Sequence, residues 1–163
     1  PNPIEWYGKT KFLAEELVKK AQCPWTILRI DQPFRSDTFE KVDTAHRIMQ
    51  GIKDGSLYPQ FTNHFFGPTF VDDFGKVIDF VIRTNTTGLF HASSGESWTD
   101  YDFAVAINEI HNLGGEIGKG DLEVYLANSE RPYQRNTAMS NEKISKILDF
   151  EMMSVKEALE KVE

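Results

Sequence analysis

The sequence has 163 residues, with 18 Lys+Arg against 25 Asp+Glu for a formal charge of −7, and 40% hydrophobic residues. An acidic chain of this kind argues against a general nucleic-acid or anionic-membrane binder, which needs a basic face, while its ordinary composition supplies one core. No apolar run approaches the roughly 18 residues of a membrane span, and the one cysteine, Cys23, excludes an internal disulfide and a thiolate zinc cluster.

Pro3 suits a helix start, where a missing N–H costs nothing. Trp6, Thr10, Leu13, Ala14, Leu17, Val18 and Ala21 recur at helical spacing, so a first helix is expected before Pro24. Trp25 to Ile30 reads as a short strand that Pro33 ends. Val42, Ala45, Ile48, Met49 and Ile52 form a second helical stripe, closing near Gly55. An aromatic-rich stretch follows, and Phe61, Phe65, Phe66 and Phe70 read as core or loop packing ahead of a stacking platform. Asp72 and Asp73 lead into a third helix carrying Phe74, Val77, Ile78, Val81 and Ile82, where acidic residues suit the N-terminus.

After a turn at 86–88, Leu89 to Ala92 reads as a strand. Ser97-Trp98-Thr99-Asp100 has the pattern of a capping box for a helix with Phe103, Ala104, Ile107 and Ile110, ended by Gly114-Gly115. Leu122 to Leu126 alternates like a strand. Two short helices close the chain, opened at Ser140 and Ser154, the latter with a capping box to Glu157. The expected whole is one α/β unit of about five helices and four strands.

The chemistry-bearing pair is Tyr7 and Lys11. Four residues apart on a helix, they share a face. An ammonium beside a phenol favours the phenolate and lowers its pKa from about 10. Such a Tyr passes a proton to or from a carbonyl or hydroxyl oxygen while hydride moves at the carbon. An ordinary amphipathic helix also produces this spacing, so the pair alone leaves both readings open. His46, His64, His91 and His111 lack metal-ligand spacing and read as scattered surface or strand histidines, so no metal site is expected. Cys23 beside Pro24 reads as a small buried hydrophobe. The glycines from Gly114 to Gly120 follow a helix instead of a strand and lack a phosphate loop's Ser/Thr, so they read as a cap and turn.

The context of the pair carries a resemblance. Pro3 to Glu16, the Trp25–Ile30 strand with its Leu28-Arg29, and Pro33-Phe34 come first. Phe65-Phe66-Gly67-Pro68-Thr69-Phe70-Val71-Asp72-Asp73 follows, then Gly88 to His91 and Ser97 to Ala104. Glu130-Arg131-Pro132, Asn136 to Ala138 and Lys143 to Phe150 complete the order. Together these resemble the second half of an extended short-chain dehydrogenase/reductase, over essentially the whole chain, 1–163. Among members they are most similar to the dTDP-4-dehydrorhamnose reductases, through Gly67-Pro68-Thr69, Ser97-Trp98 with Phe103-Ala104, and Arg131-Pro132.

The resemblance implies the later part of a Rossmann-like doubly wound sheet plus a small α/β substrate-binding subdomain, with an N-terminal cofactor half lying upstream. It implies Tyr7 as acid/base and Lys11 as its partner and a ligand of the nicotinamide ribose. Gln32 and Pro33 would lie beside cofactor and substrate. Gly67, Pro68 and Thr69 would form a substrate-side loop, and Arg131 would face a nucleotide diphosphate, which a guanidinium suits by bidentate bonding. A surface Arg or a helix-end salt bridge remains the alternative for Arg131. The implied activity is NAD(P)-dependent reduction of a 4-keto nucleotide sugar, with NADP or NAD bound by the intact parent. An epimerase or dehydratase of the same family, or a non-catalytic regulatory or binding subunit, are the alternatives. The implied location is cytoplasmic. The expected partners are a nucleotide sugar, the upstream half or a second copy of the chain, with no nucleic acid and no membrane. A start at Pro1-Asn2-Pro3 reads as a cut before the catalytic helix, so the chain alone is expected to bind NAD(P)H weakly and to be inactive. Asp31, Gln32 and Arg35 depart from the family pattern, in which an aromatic usually stands at position 32.

Overall fold

The computed structural model describes residues 2–130 and 132–163. In chain order its elements begin with α1 Trp6–Lys19, β1 Thr26–Arg29, β2 Pro33–Phe34, α2 Thr44–Lys53 and β3 Gln60–Phe61. Next come β4 Phe65–Phe66, β5 Thr69–Phe70, α3 Val71–Thr84, β6 Gly88–His91 and β7 Trp98–Thr99. The chain closes with α4 Asp100–Ile110, β8 Lys119–Gly120, α5 Leu122–Leu126, α6 Glu142–Ser145 and α7 Val155–Leu159. Pairs β1–β6, β2–β5 and β3–β8 are parallel, and β4–β7 is antiparallel. Parallel strands need long crossovers, and here helices supply them, which is the α/β arrangement.

The larger core lies between α2, α4 and α7. Ala45, Ile48, Met49 and Ile52 of α2 bury one stripe against Phe103, Ala104 and Ile107 of α4. Phe103 sits at the centre, with its ring edge-on to Phe34 at 5.8 Å and to Phe66 at 5.3 Å between centroids. A second core joins Val77, Phe80 and Val81 of α3 to Phe90 of β6 and Ile144 of α6. The aromatic-rich stretch divides accordingly. Phe66 and Phe70 are buried in the larger core, while Phe65 is 38% exposed.

Several elements differ from expectation. Glu5 is the N-cap of α1, so Pro3 stays outside the helix. It packs on the first turn instead: a Cβ at Gly8 would lie 2.9 Å from the Pro3 Cβ, and glycine leaves that space. The α1 stripe is not a buried face. No α1 residue is buried, and Trp6, Leu13 and Leu17 are 74%, 56% and 69% exposed. Cys23 is exposed because residues 20–24, beyond the last turn of α1, have nothing packed over them.

Val42 is outside α2 and 59% exposed, because Asp43 caps that helix by accepting from the His46 amide at 3.1 Å. Thr99 caps α4, not Ser97: its hydroxyl accepts from the Asp102 amide at 2.9 Å, and Trp98–Thr99 is a strand paired with β4. Leu122 to Leu126 is a helix, not a strand. The Asp121 carboxylate accepts from the Glu123 and Val124 amides, and a five-residue run with one buried side chain, Leu122, has too little length for its period to decide. The Ser154–Glu157 capping box is present with both of its bonds. Among the described residues there are seven helices and eight strands, more than expected, because strands of two residues carry no periodic signal. No helix among them is long and apolar enough to cross a membrane.

Candidate active site

Helix α1 brings Tyr7, Lys11 and Glu15 onto one face at successive intervals of four. The Lys11 ammonium lies 5.3 Å from the centroid of the Tyr7 ring. Both side chains open on a groove of about 800 Å³ between α1, β1 and the segment around 134–139, whose walls include Leu28, Asp31 and Thr137. The groove reaches the carboxyl end of β1, where open α/β sheets place their ligands.

The position of α1 on β1 is fixed by charge. Arg29 donates Nε to Glu15 Oε1 at 2.7 Å and Nη2 to Oε2 at 2.6 Å. These bonds, with the positive charge behind them, hold the Glu15 carboxyl below the usual carboxylate range and push the guanidinium higher still.

Beyond β1 the chain turns sharply. Gln32 adopts a left-handed backbone with φ +38°, which non-glycine residues seldom occupy, and its side-chain oxygen accepts from the Thr44 hydroxyl at 2.9 Å. Pro33 opens β2 and is exposed. Gln32 and Pro33 adjoin the groove; Asp31 is the residue of this turn that lines it. Gly67, Pro68 and Thr69 are buried behind the turn and not on the groove surface. The Gly67 amide donates to Asp31 Oδ2 at 3.0 Å. The Thr69 hydroxyl donates to the Asp31 carbonyl at 2.7 Å and accepts from the Asp31 amide at 3.1 Å. Arg131, expected at a diphosphate, lies outside the described residues.

The sequence reading missed two features. His64 is 3% exposed and its Nδ1 meets Asp100 Oδ2 at 2.6 Å, so it is a paired core residue and not a surface or strand histidine. Asp31 bonds three residues of two distant segments, Gly67, Thr69 and Thr137; its departure from the family pattern was the available signal. No group of three His, Cys, Asp or Glu among the described residues is arranged to hold a metal.

For a nicotinamide cofactor, the groove fits one end of the molecule. Tyr7 and Lys11 are both exposed in it, and no carboxylate among the described residues pairs with Lys11. Ribose hydroxyls therefore have free donors to meet. The strand-to-helix junction at Phe70–Val71 contains no glycine, so it offers no cradle for a pyrophosphate.

Comparison with known proteins decides the family. The family model described as RmlD substrate binding domain matches residues 1–162. The chain belongs to the RmlD substrate-binding domain family. This RmlD-type chain is 26% identical over 137 residues to the probable low-salt glycan biosynthesis reductase Agl14 of Haloferax volcanii, covering 83% of this chain and 45% of that protein. In structure it is similar to a dTDP-4-dehydrorhamnose reductase from Bacillus anthracis solved with NADP, at TM-score 0.82 and 23% identity, covering 99% of this chain and 56% of the other. A dTDP-4-dehydrorhamnose reductase from Clostridium acetobutylicum gives TM-score 0.85 at 21% identity, covering 98% and 55%. At these identities the structural likeness establishes a Rossmann-like reductase/epimerase fold. The RmlD-type chain spans about half the length of these relatives.

Proposed function

We propose that this chain supplies the acid/base pair and the substrate wall of an NAD(P)-dependent reductase acting on 4-keto nucleotide sugars. The observation that carries the reading is the exposed Tyr7, with the Lys11 ammonium 5.3 Å from its ring centroid, in an 800 Å³ groove at the end of a parallel strand. A nicotinamide cofactor, held by Lys11 at its ribose, would supply the hydride that the keto carbon takes up. Tyr7 gives its hydroxyl proton to the keto oxygen, so that C=O becomes CH–OH and the charge balances. Lys11 steadies the phenolate left behind and donates to ribose hydroxyls. Arg29 and Glu15 hold the helix that carries both at a fixed distance from β1. Gln32 and Pro33 flank the reacting sugar, Gly67-Pro68-Thr69 supports that turn from behind, and Arg131 meets the diphosphate. The nucleotide sugar and the reduced cofactor both belong to the cytoplasm, the proposed location.

The test uses the full-length protein that carries this sequence, supplied with NADPH or NADH and a dTDP-4-keto-6-deoxyhexose. Consumption of the reduced cofactor in proportion to sugar reduced is expected. Tyr7→Phe should abolish it while leaving cofactor affinity within about threefold. An epimerase or dehydratase would convert sugar without net consumption. Turnover by Tyr7→Phe at the wild-type rate would sink the assigned role.

A further inference from the structure

We propose that Asp31 is the positioning residue that sets the width of the substrate groove, by tying the end of β1 to the wall that Thr137 lines; this rests on the reductase reading of the groove. The carboxylate does its work through one oxygen. Oδ2 accepts from the Gly67 amide at 3.0 Å and from the Thr137 hydroxyl at 2.6 Å. Thr137 lines the groove with Gln134 and Met139, and Tyr7 and Lys11 line it from α1. The segment around Thr137 is also tied to β4, where the Phe65 carbonyl accepts from the Thr137 amide at 2.9 Å and the Phe65 amide donates to the Arg135 carbonyl at 2.9 Å. The Ser93 hydroxyl donates to the Met139 carbonyl at 3.5 Å. The Asp31 bond is the tie that runs from this segment to the end of β1.

Asp31 itself is held in place. Its amide and carbonyl both bond the hydroxyl of Thr69, which is 1% exposed. The buried Gly67-Pro68-Thr69 loop is thus a fixed anchor, Asp31 the bridge, and Thr137 the part of the wall that is set. A charge-assisted O–H···O⁻ bond is short and directional, so it fixes distance better than apolar packing does. Among the described residues no protein group bonds Oδ1, and Asp31 lines the groove, which leaves this oxygen able to accept from a sugar hydroxyl once the wall is set. A substrate-binding wall that moves by an ångström loses contacts made equally to the bound sugar and to its transition state, which raises KM and spares kcat.

The experiment compares wild type, Asp31→Ala, Thr137→Val and Thr137→Ser in the full-length protein. It measures amide exchange over residues 65–68 and 134–139, cofactor affinity, and steady-state kinetics with a dTDP-4-keto-6-deoxyhexose. Asp31→Ala and Thr137→Val should speed exchange in both segments. They should raise KM for the sugar about tenfold with kcat within about threefold and unchanged cofactor affinity. Thr137→Ser, which keeps the hydroxyl, should restore wild-type values; Thr137→Val guards against a variant that merely misfolds. Unchanged exchange at 134–139 in Asp31→Ala overturns the proposal whatever the enzyme does. So does a loss confined to kcat or to cofactor affinity. Absence of sugar turnover by wild type instead overturns the reductase reading, and the exchange data then still decide whether Asp31 sets the wall.

Discussion

Arg29 of β1 grips Glu15 of α1 through two parallel hydrogen bonds, Nε to Oε1 at 2.7 Å and Nη2 to Oε2 at 2.6 Å. No residue of α1 is buried, so this pair carries much of what a hydrophobic face does for other helices. The Glu15 carboxyl is shielded to 14% exposure and the Arg29 side chain to 26%, so solvent screens the bond less than at an open surface.

The pair makes the docking of α1 sensitive to acid. Because Glu15 titrates below its ordinary 4.5 when folded, its contribution is fully present above that value. It is lost as pH falls through the lower folded value. Glu15→Gln should cost about 1 kcal/mol at neutral pH. The thermal-melting curves of the variant and wild type should converge in acid. A gap that stays constant with pH would contradict this.

Lys11→Met keeps the length of the side chain and removes its charge. In the full-length protein it should lower kcat by about a hundredfold and weaken cofactor binding as well, unlike Tyr7→Phe. Single-turnover kinetics and cofactor titration separate the two effects.

Gly95 has φ +81°, and a Cβ there would run into the carboxamide of Asn141. That carboxamide donates to the carbonyls of Ser93 at 3.1 Å and Ser94 at 2.9 Å. Gly95→Ala should destabilise by about 2–3 kcal/mol, combining backbone strain with displacement of Asn141. Urea melts of Gly95→Ala, Asn141→Ala and the double variant should be non-additive, with the double less costly than the sum.

Phe103 is 1% exposed and its ring contacts Phe34, Phe66 and Trp98. Phe103→Ala should cost about 3–5 kcal/mol. Phe103→Leu, which fills more of the space, should cost markedly less. Chemical denaturation measures both, and equal losses would show that the core does not depend on the ring.

Legibility in the sequence followed the range over which each signal acts. Helices α2 and α3 were readable from their stripes, because Ala45, Ile48 and Ile52, or Val77 and Val81, repeat over several turns and are buried. The stripe on α1 had the same spacing without burial, since periodicity reports which residues share a face and not what covers it. Helix α5 was misread because an Asp121 cap outweighs alternation over five residues. Tyr7 and Lys11 were readable since their relation spans a single helical turn. The role of Asp31 was not. Its carboxylate partners stand 36 and 106 positions away, at Gly67 and Thr137, and only the folded chain brings them to one oxygen.

The exposed thiol of Cys23 has a practical value. It lies in the short turn joining α1 to β1, the two elements that form one side of the groove, and is the only sulfhydryl in this stretch of sequence. A maleimide dye attached there would stand outside the Glu15–Arg29 clamp and apart from both cores. Its emission would report on how α1 sits against β1 without any reacting group being altered.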